Sequence, residues 1–104
     1  MAQHYNSLEE VRQNIDLIDK ELVNLIAKRS LFVSQAAKFK DSVKDVVAIQ
    51  YVNAVIDKVK TLSEESGLNP TITERVYRTM INAFTEEELS ILDSRYKEIK
   101  ESYY

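Results

Sequence analysis

Apolar residues recur along the first forty positions of the chain at alternating steps of three and four. This spacing is typical of a helix that buries one continuous stripe. The segment Ser7-Leu8-Glu9-Glu10 precedes the stripe and has the form of a capping box. We therefore predict a first helix over about residues 7–40, roughly 50 Å long. Its apolar positions are Leu8, Val11, Ile15, Ile18, Leu22, Leu25, Phe32, Ala36 and Phe39.

Two further stripes with helical spacing follow. They predict a second helix over about residues 48–66 and a third over about residues 72–100. The inward positions of the second are Ile49, Val52, Val55, Ile56, Val59 and Leu62. Those of the third are Ile72, Val76, Tyr77, Met80, Ile81, Phe84, Ile91, Leu92 and Ile99.

The connections between the helices have their own signals. Residues 41–45 interrupt the apolar periodicity and predict the first connection. Gly67 supplies the left-handed residue that ends a helix, and the Asn69-Pro70 pair prevents its continuation. The segment Thr71-Ile72-Thr73-Glu74 resembles a second capping box and predicts the start of the third helix.

The composition supports an all-α single domain covering residues 1–104. One glycine and one proline in 104 residues are very few chain breakers, so long helices with few connections are expected. A chain this short cannot easily cover all of its apolar stripes alone. We therefore expect it to form a homo-oligomer.

Charge and hydropathy restrict the classes of partner. The net charge is −3, with both signs mixed along the chain, which argues against a nucleic-acid surface and against binding to anionic membranes. There is no cysteine, so thiolate metal sites are excluded. No apolar run reaches membrane-spanning length, and the N-terminus does not resemble a signal peptide. A cytoplasmic location is the prediction.

Two basic residues interrupt the first apolar stripe. Arg29 occupies the next step of the series after Leu25, where another apolar residue is expected. A guanidinium stays charged, so on a buried stripe it needs an anion beside it. Lys40 lies eleven residues further on, which on a continuous helix returns to nearly the same azimuth about 16 Å away. Inward-facing cations of this kind predict a pocket for an anionic ligand.

Two more polar residues complete the set. Glu88 falls inside the third stripe, one turn after Phe84. Arg12 lies 17 residues before Arg29, about 100° away around the same helix, so one straight helix cannot easily present both to a small ligand. If two such helices pack antiparallel in a dimer, Arg12 of one chain can reach the pocket that holds Arg29 of the other.

From about Leu8 to Leu92, the sequence resembles the all-helical chorismate mutases and their relatives, the isochorismate–pyruvate lyases. An Arg-x2-Ile-Asp-x2-Asp opening from Arg12, followed at the family's spacing by Arg29 and Lys40, carries most of the resemblance. It implies an intertwined homodimer of three-helix chains with two equivalent active sites. The matching segments are residues 8–19, Leu25-Ile26-Ala27-Lys28-Arg29, Ala37-Lys38-Phe39-Lys40 and Glu64-Glu65-Ser66-Gly67-Leu68.

The resemblance also implies a role for each polar residue. Arg29, with Arg12 of the partner subunit, would bind the two carboxylates of the substrate. Lys40 would donate to the ether oxygen of the enolpyruvyl bridge, and Glu88 stands where many members have a glutamine that donates to the same oxygen. The rearrangement of chorismate to prephenate is concerted and needs no nucleophile, metal or cofactor. The enzyme would select the compact conformer of the substrate and stabilise the charge that develops on the ether oxygen.

Two positions depart from the pattern of many mutases. Where those enzymes have Arg-Glu at the start of the second helix, to bind the ring hydroxyl and one carboxylate of the substrate, this chain has Tyr51 and Val52. These two are the substrate-binding candidates at that position, where Tyr51 could donate one hydrogen bond through its phenol but could not clamp a carboxylate. Some isochorismate–pyruvate lyases also have valine at the second position, so formation of salicylate and pyruvate is the alternative activity. A helical dimer that has lost catalysis and serves as an adaptor is the alternative of another class.

Overall fold

The computed structural model describes residues 4–102, but it does not describe the side chains of residues 96 and 99–102. The described chain is helical and contains no strand, which confirms the all-α prediction. The predicted inward role of Ile99 lies outside the described side chains. The helices are α1 (Leu8–Ala37), α2 (Val43–Val47), α3 (Ile49–Glu65) and α4 (Pro70–Ser102). The chain divides into two compact units, Met1–Gln35 and Ala36–Tyr104, called unit 1 and unit 2 below.

Unit 1 consists mainly of α1, which begins at the predicted capping box. The amide of Glu10 donates to Ser7 Oγ at 3.1 Å. The carboxylate of Glu10 accepts from the amide of Asn6 at 3.1 Å, one residue before the N-cap Ser7. The first contact satisfies an amide that the first helical turn leaves without a partner, and the second joins the preceding segment to that turn.

The apolar stripe of α1 is largely open to solvent in the single chain. None of its residues is buried, and Phe32 is 76 % exposed. Other exposed members of the predicted stripe are Leu8, Val11, Ile15, Ile18, Leu22 and Leu25. The periodicity thus predicts the helix correctly, and unit 1 by itself leaves the stripe exposed.

The helix α1 ends at Ala37, before the end predicted near Lys40. The amides of Phe39 and Lys40 donate to the carbonyls of Ala36 and Ala37, three residues earlier, at 3.0 and 3.1 Å. Such bonds tighten the chain into a turn and do not propagate an α-helix. The prediction that Lys40 continues the azimuth of Arg29 on one helix was therefore wrong.

In unit 2, the short helix α2 lies where the sequence predicted a connection. Ser42 is its N-cap, and Ser42 Oγ accepts from the amide of Asp45 at 3.2 Å. Val46 is buried, so this turn contributes to the core of the unit. The helix stops at Ala48, whose φ of 37° lies in the left-handed region. That conformation costs an L-amino acid about 1 kcal/mol, and here it separates α2 from α3.

The end of α3 has the predicted form. Gly67 has a φ of 73°, and its amide donates to the carbonyl of Glu64 at 3.2 Å. The amide of Leu68 donates to the carbonyl of Ser63 at 2.9 Å. These two bonds form a Schellman motif, in which a left-handed glycine satisfies the last carbonyls of a helix.

The start of α4 differs from the prediction. Asn69 Oδ1 accepts from the amide of Thr71 at 3.0 Å, and Pro70 is the first helical residue. Asparagine is a strong N-cap and proline is preorganised for the first helical position, so this pair starts the helix before Thr71 can. Thr73, within the predicted capping box, accepts a hydrogen bond from the buried hydroxyl of Ser63 on α3.

The core of unit 2 forms where α2 and α3 pack on α4. Its buried apolar residues are Val46, Ile56 and Val59, and full burial of each such side chain contributes about 1.5–3 kcal/mol. None of the described helices combines the length and the hydropathy needed to cross a bilayer.

Glu74 links α3 to α4 through ion pairs, and from these pairs we predict that the stability of the fold depends on pH. Its carboxylate accepts from Arg78 Nε at 2.9 Å and pairs with Lys60 Nζ at 3.3 Å. These contacts, with Arg78 the larger, lower the pKa of Glu74. Because the folded-state pKa lies below the unfolded one, the stabilisation is present at neutral pH and is lost as pH falls through the folded-state pKa. We expect Glu74→Gln to melt slightly below the wild type at pH 7, with the difference vanishing in acid.

Thermal melts at several pH values test this expectation, with Glu86→Gln, an exposed glutamate of the same helix, as the control. A difference between Glu74→Gln and wild type that stays constant across pH would contradict it.

Candidate active site

Lys40 lies on the irregular segment between α1 and α2, and Glu88 lies on α4. Lys40 Nζ donates to Glu88 Oε2 at 3.1 Å. The Lys40 side chain is 26 % exposed and that of Glu88 only 10 %. Unit 2 thus brings together two of the residues that the sequence selected, although they are 48 positions apart.

The contact with Glu88 leaves Lys40 with further hydrogen-bond donors. At 3.1 Å, an ammonium donating to a carboxylate is a charge-assisted contact, with Glu88 as acceptor. An ammonium carries three N–H donors, and Glu88 takes one of them. Partial burial strengthens the remaining donors toward an oxygen that gains negative charge, because the surroundings are less polarisable than water.

A third residue contacts Lys40, and the sequence did not predict it. Arg95 Nη2 donates to the backbone carbonyl of Lys40 at 3.3 Å. Arg95 lies two turns after Glu88 on α4, and like Glu88 it occupies a step of the third apolar stripe, between Leu92 and Ile99. No signal in the sequence identifies a carbonyl of an irregular segment as its acceptor.

Arg12 and Arg29 both lie on α1. Arg12 is exposed and Arg29 is partly buried. Their separation of 17 positions corresponds to about 25 Å along the helix axis, which exceeds the size of a small dicarboxylate. The two arginines of one α1 helix therefore do not meet at a single ligand.

Tyr51 and Val52 lie in the first turn of α3. Tyr51 is 69 % exposed, whereas Val52 is partly buried. At this turn the chain offers one phenol and one apolar side chain, neither of which can pair with a carboxylate as a guanidinium does. Among the side chains that the structure describes, no three histidine or acidic groups are placed together as metal ligands.

Comparison with known proteins identifies the class of this helical protein. Residues 11–89 match the family described as chorismate mutase type II, and the chain belongs to that family. The family consists of enzymes, either chorismate mutases or the related isochorismate pyruvate lyases.

A curated relative is the isochorismate pyruvate lyase of Pseudomonas aeruginosa. It is 28 % identical to this chain over 82 residues, which cover 79 % of this chain and 81 % of the relative. The resemblance stated from the sequence is thereby confirmed at the level of the family.

Proposed function

We propose that this protein is a chorismate mutase that rearranges chorismate to prephenate without a cofactor. Membership in the chorismate mutase type II family supports the reaction class. The observation that carries the proposal is the placement of Lys40 Nζ at 3.1 Å from Glu88 Oε2 in partly buried surroundings. A concerted rearrangement needs donors beside the breaking C–O bond, and Lys40 is a suitable donor.

Arg29 and Arg12 of the partner subunit bind the two substrate carboxylates in this proposal. Guanidinium groups match carboxylates with two parallel hydrogen bonds, which fixes orientation as well as position. Holding the flexible substrate in its compact conformer removes part of the entropic barrier. Two subunits are required because the arginines of one α1 are too far apart, and the exposed apolar stripe of α1 provides a surface that a second copy can cover.

The lyase activity is the second candidate, and two observations favour it. The lyase of Pseudomonas aeruginosa is a relative over most of both chains. At the start of α3, Val52 occupies the position where many mutases carry a glutamate and some lyases carry valine. The site would then eliminate pyruvate from isochorismate and leave salicylate, again with Lys40 beside the bridging oxygen.

A paired assay on the purified full-length chain tests these proposals. Loss of chorismate is followed by ultraviolet absorbance, and prephenate is identified as the product. The same preparation is then given isochorismate, and salicylate is detected by fluorescence. Prephenate supports the mutase and salicylate supports the lyase. If the protein turns over neither substrate, both proposed activities are contradicted, and a non-catalytic helical dimer is the remaining alternative.

The Glu88→Gln substitution tests the role of Glu88. An ionised carboxylate can only accept hydrogen bonds and repels an oxygen that gains negative charge, whereas a protonated one can donate. The glutamine variant always carries an N–H donor, so we expect its kcat at pH 8 to be about tenfold above that of wild type.

Steady-state rates of both proteins at pH 8 check this expectation. Glu87→Gln is the matched control, because it removes an exposed carboxylate from the neighbouring position of α4. A kcat of Glu88→Gln equal to or below that of wild type would exclude this role for Glu88.

A further inference from the structure

The helix α4 contacts Lys40 at two separate points. Glu88 Oε2 accepts from the ammonium at 3.1 Å, and Arg95 Nη2 donates to the backbone carbonyl at 3.3 Å. Glu88 and Arg95 are seven residues apart, or two helical turns, so they lie within about 20° of each other around α4. One face of α4 therefore contacts both the side-chain ammonium and the backbone carbonyl of Lys40.

Apart from the bond of its amide to the carbonyl of Ala37 at 3.1 Å, the backbone of Lys40 is not held by regular structure. The helix α1 has ended at Ala37, and α2 does not begin until Val43. A residue on such a segment has more backbone freedom than a helical one, and fixing it costs conformational entropy. A flexible backbone at this position would move the ammonium, because Nζ extends from it on four methylene groups.

We propose that Arg95 is a positioning residue, which fixes the backbone of Lys40 so that its ammonium lies beside Glu88 and the reacting oxygen. The catalytic part of this inference rests on the proposed function, whereas the structural part rests on the two contacts alone. Arginine suits the task because its charge is permanent and its N–H groups point in fixed directions. Arg95 itself does not touch the substrate.

The rate experiment compares Arg95→Met with Lys97→Met in the full-length protein. Lys97 pairs with Asp93 at 3.2 Å on an exposed part of α4, so its replacement removes the same charge from the same helix without touching Lys40. We expect Arg95→Met to lower kcat about tenfold with little change in KM, because misplacement of a catalytic group by a fraction of an ångström weakens transition-state stabilisation. Arg95→Lys, which keeps one donor, should recover part of the loss.

A double mutant shows whether Arg95 acts through Lys40. In a Lys40→Met background the ammonium is absent, so Arg95→Met should cause no further fall in kcat. An equal tenfold fall in that background, or a kcat of Arg95→Met equal to that of wild type, would overturn the proposal.

Carbon-13 NMR of the Glu88 carboxyl provides a readout that does not depend on turnover. The signal is assigned by its loss in Glu88→Gln, and its response to the ammonium is calibrated with Lys40→Met. We expect Arg95→Met to move the signal toward its position in Lys40→Met, and Lys97→Met to leave it in place. A signal that Arg95→Met does not move would refute the positioning role. If wild type turns over neither substrate, the proposed function fails, and this NMR comparison alone decides whether Arg95 holds Lys40.

Discussion

Replacing Lys40 with methionine will lower kcat by about 10²–10³ while changing KM no more than a few-fold. Methionine keeps an unbranched chain of similar length but has no N–H donor, so the ether oxygen loses the group that stabilises its developing charge. That charge is present in the transition state and nearly absent in the bound substrate. A group that acts only in the transition state affects kcat more than binding.

Steady-state rates with chorismate and with isochorismate check the prediction. Lys44→Met is the matched control, because Lys44 is an exposed lysine on the neighbouring helix α2. Lys40→Met leaves the mostly buried carboxylate of Glu88 without its ammonium, which can destabilise the fold. The double variant Lys40→Met/Glu88→Gln removes that unpaired charge, and its kcat should remain far below that of wild type. A folded double variant with wild-type kcat would exclude a catalytic role for Lys40.

Replacing Arg29 with lysine will lower kcat/KM by about 10²-fold. The substitution conserves the charge but removes the planar pair of N–H donors that matches a carboxylate. If Arg29 fixes the substrate in its compact conformer, the loss should appear in both kcat and KM, because orientation and binding both depend on it.

Arg75→Lys is the control for this exchange, since Arg75 is exposed on α4 and is not a candidate site residue. Thermal melts of both variants separate loss of activity from loss of fold. Wild-type kcat/KM in Arg29→Lys would show that Arg29 does not bind a substrate carboxylate.

The helices of this protein could be predicted from the sequence because residues at their own termini determine where they begin and end. The Ser7 hydroxyl caps α1, and Gly67 ends α3 in the left-handed conformation, both as predicted. The predicted start of α4 was wrong because two start signals overlap in the sequence. The Asn69-Pro70 pair begins the helix upstream of the predicted cap at Thr71. The short helix α2 was missed because the Ser42 cap lies in a segment whose apolar spacing is irregular.

The candidate site was predictable only in part. Lys40 and Glu88 were selected as polar residues on apolar stripes, and the structure brings them together. The helical argument for Lys40 was wrong, because two tight turn bonds end α1 before that residue. Arg95 was overlooked, although it interrupts the same stripe as Glu88; its acceptor could not be predicted, because backbone carbonyls are present at every position of a sequence. The roles of Arg12, Arg29, Tyr51 and Val52 stay predictions.

The separation of Lys40 and Glu88 by 48 positions in the sequence has a consequence for how the protein unfolds. A contact across so long a stretch of chain survives only while the intervening helices keep its ends together, because the entropy of an open loop otherwise separates them. The ammonium and the carboxylate should therefore part in the same cooperative transition that releases α3 from α4. Fraying at the N-terminus of α1 can precede that transition without disturbing the pair.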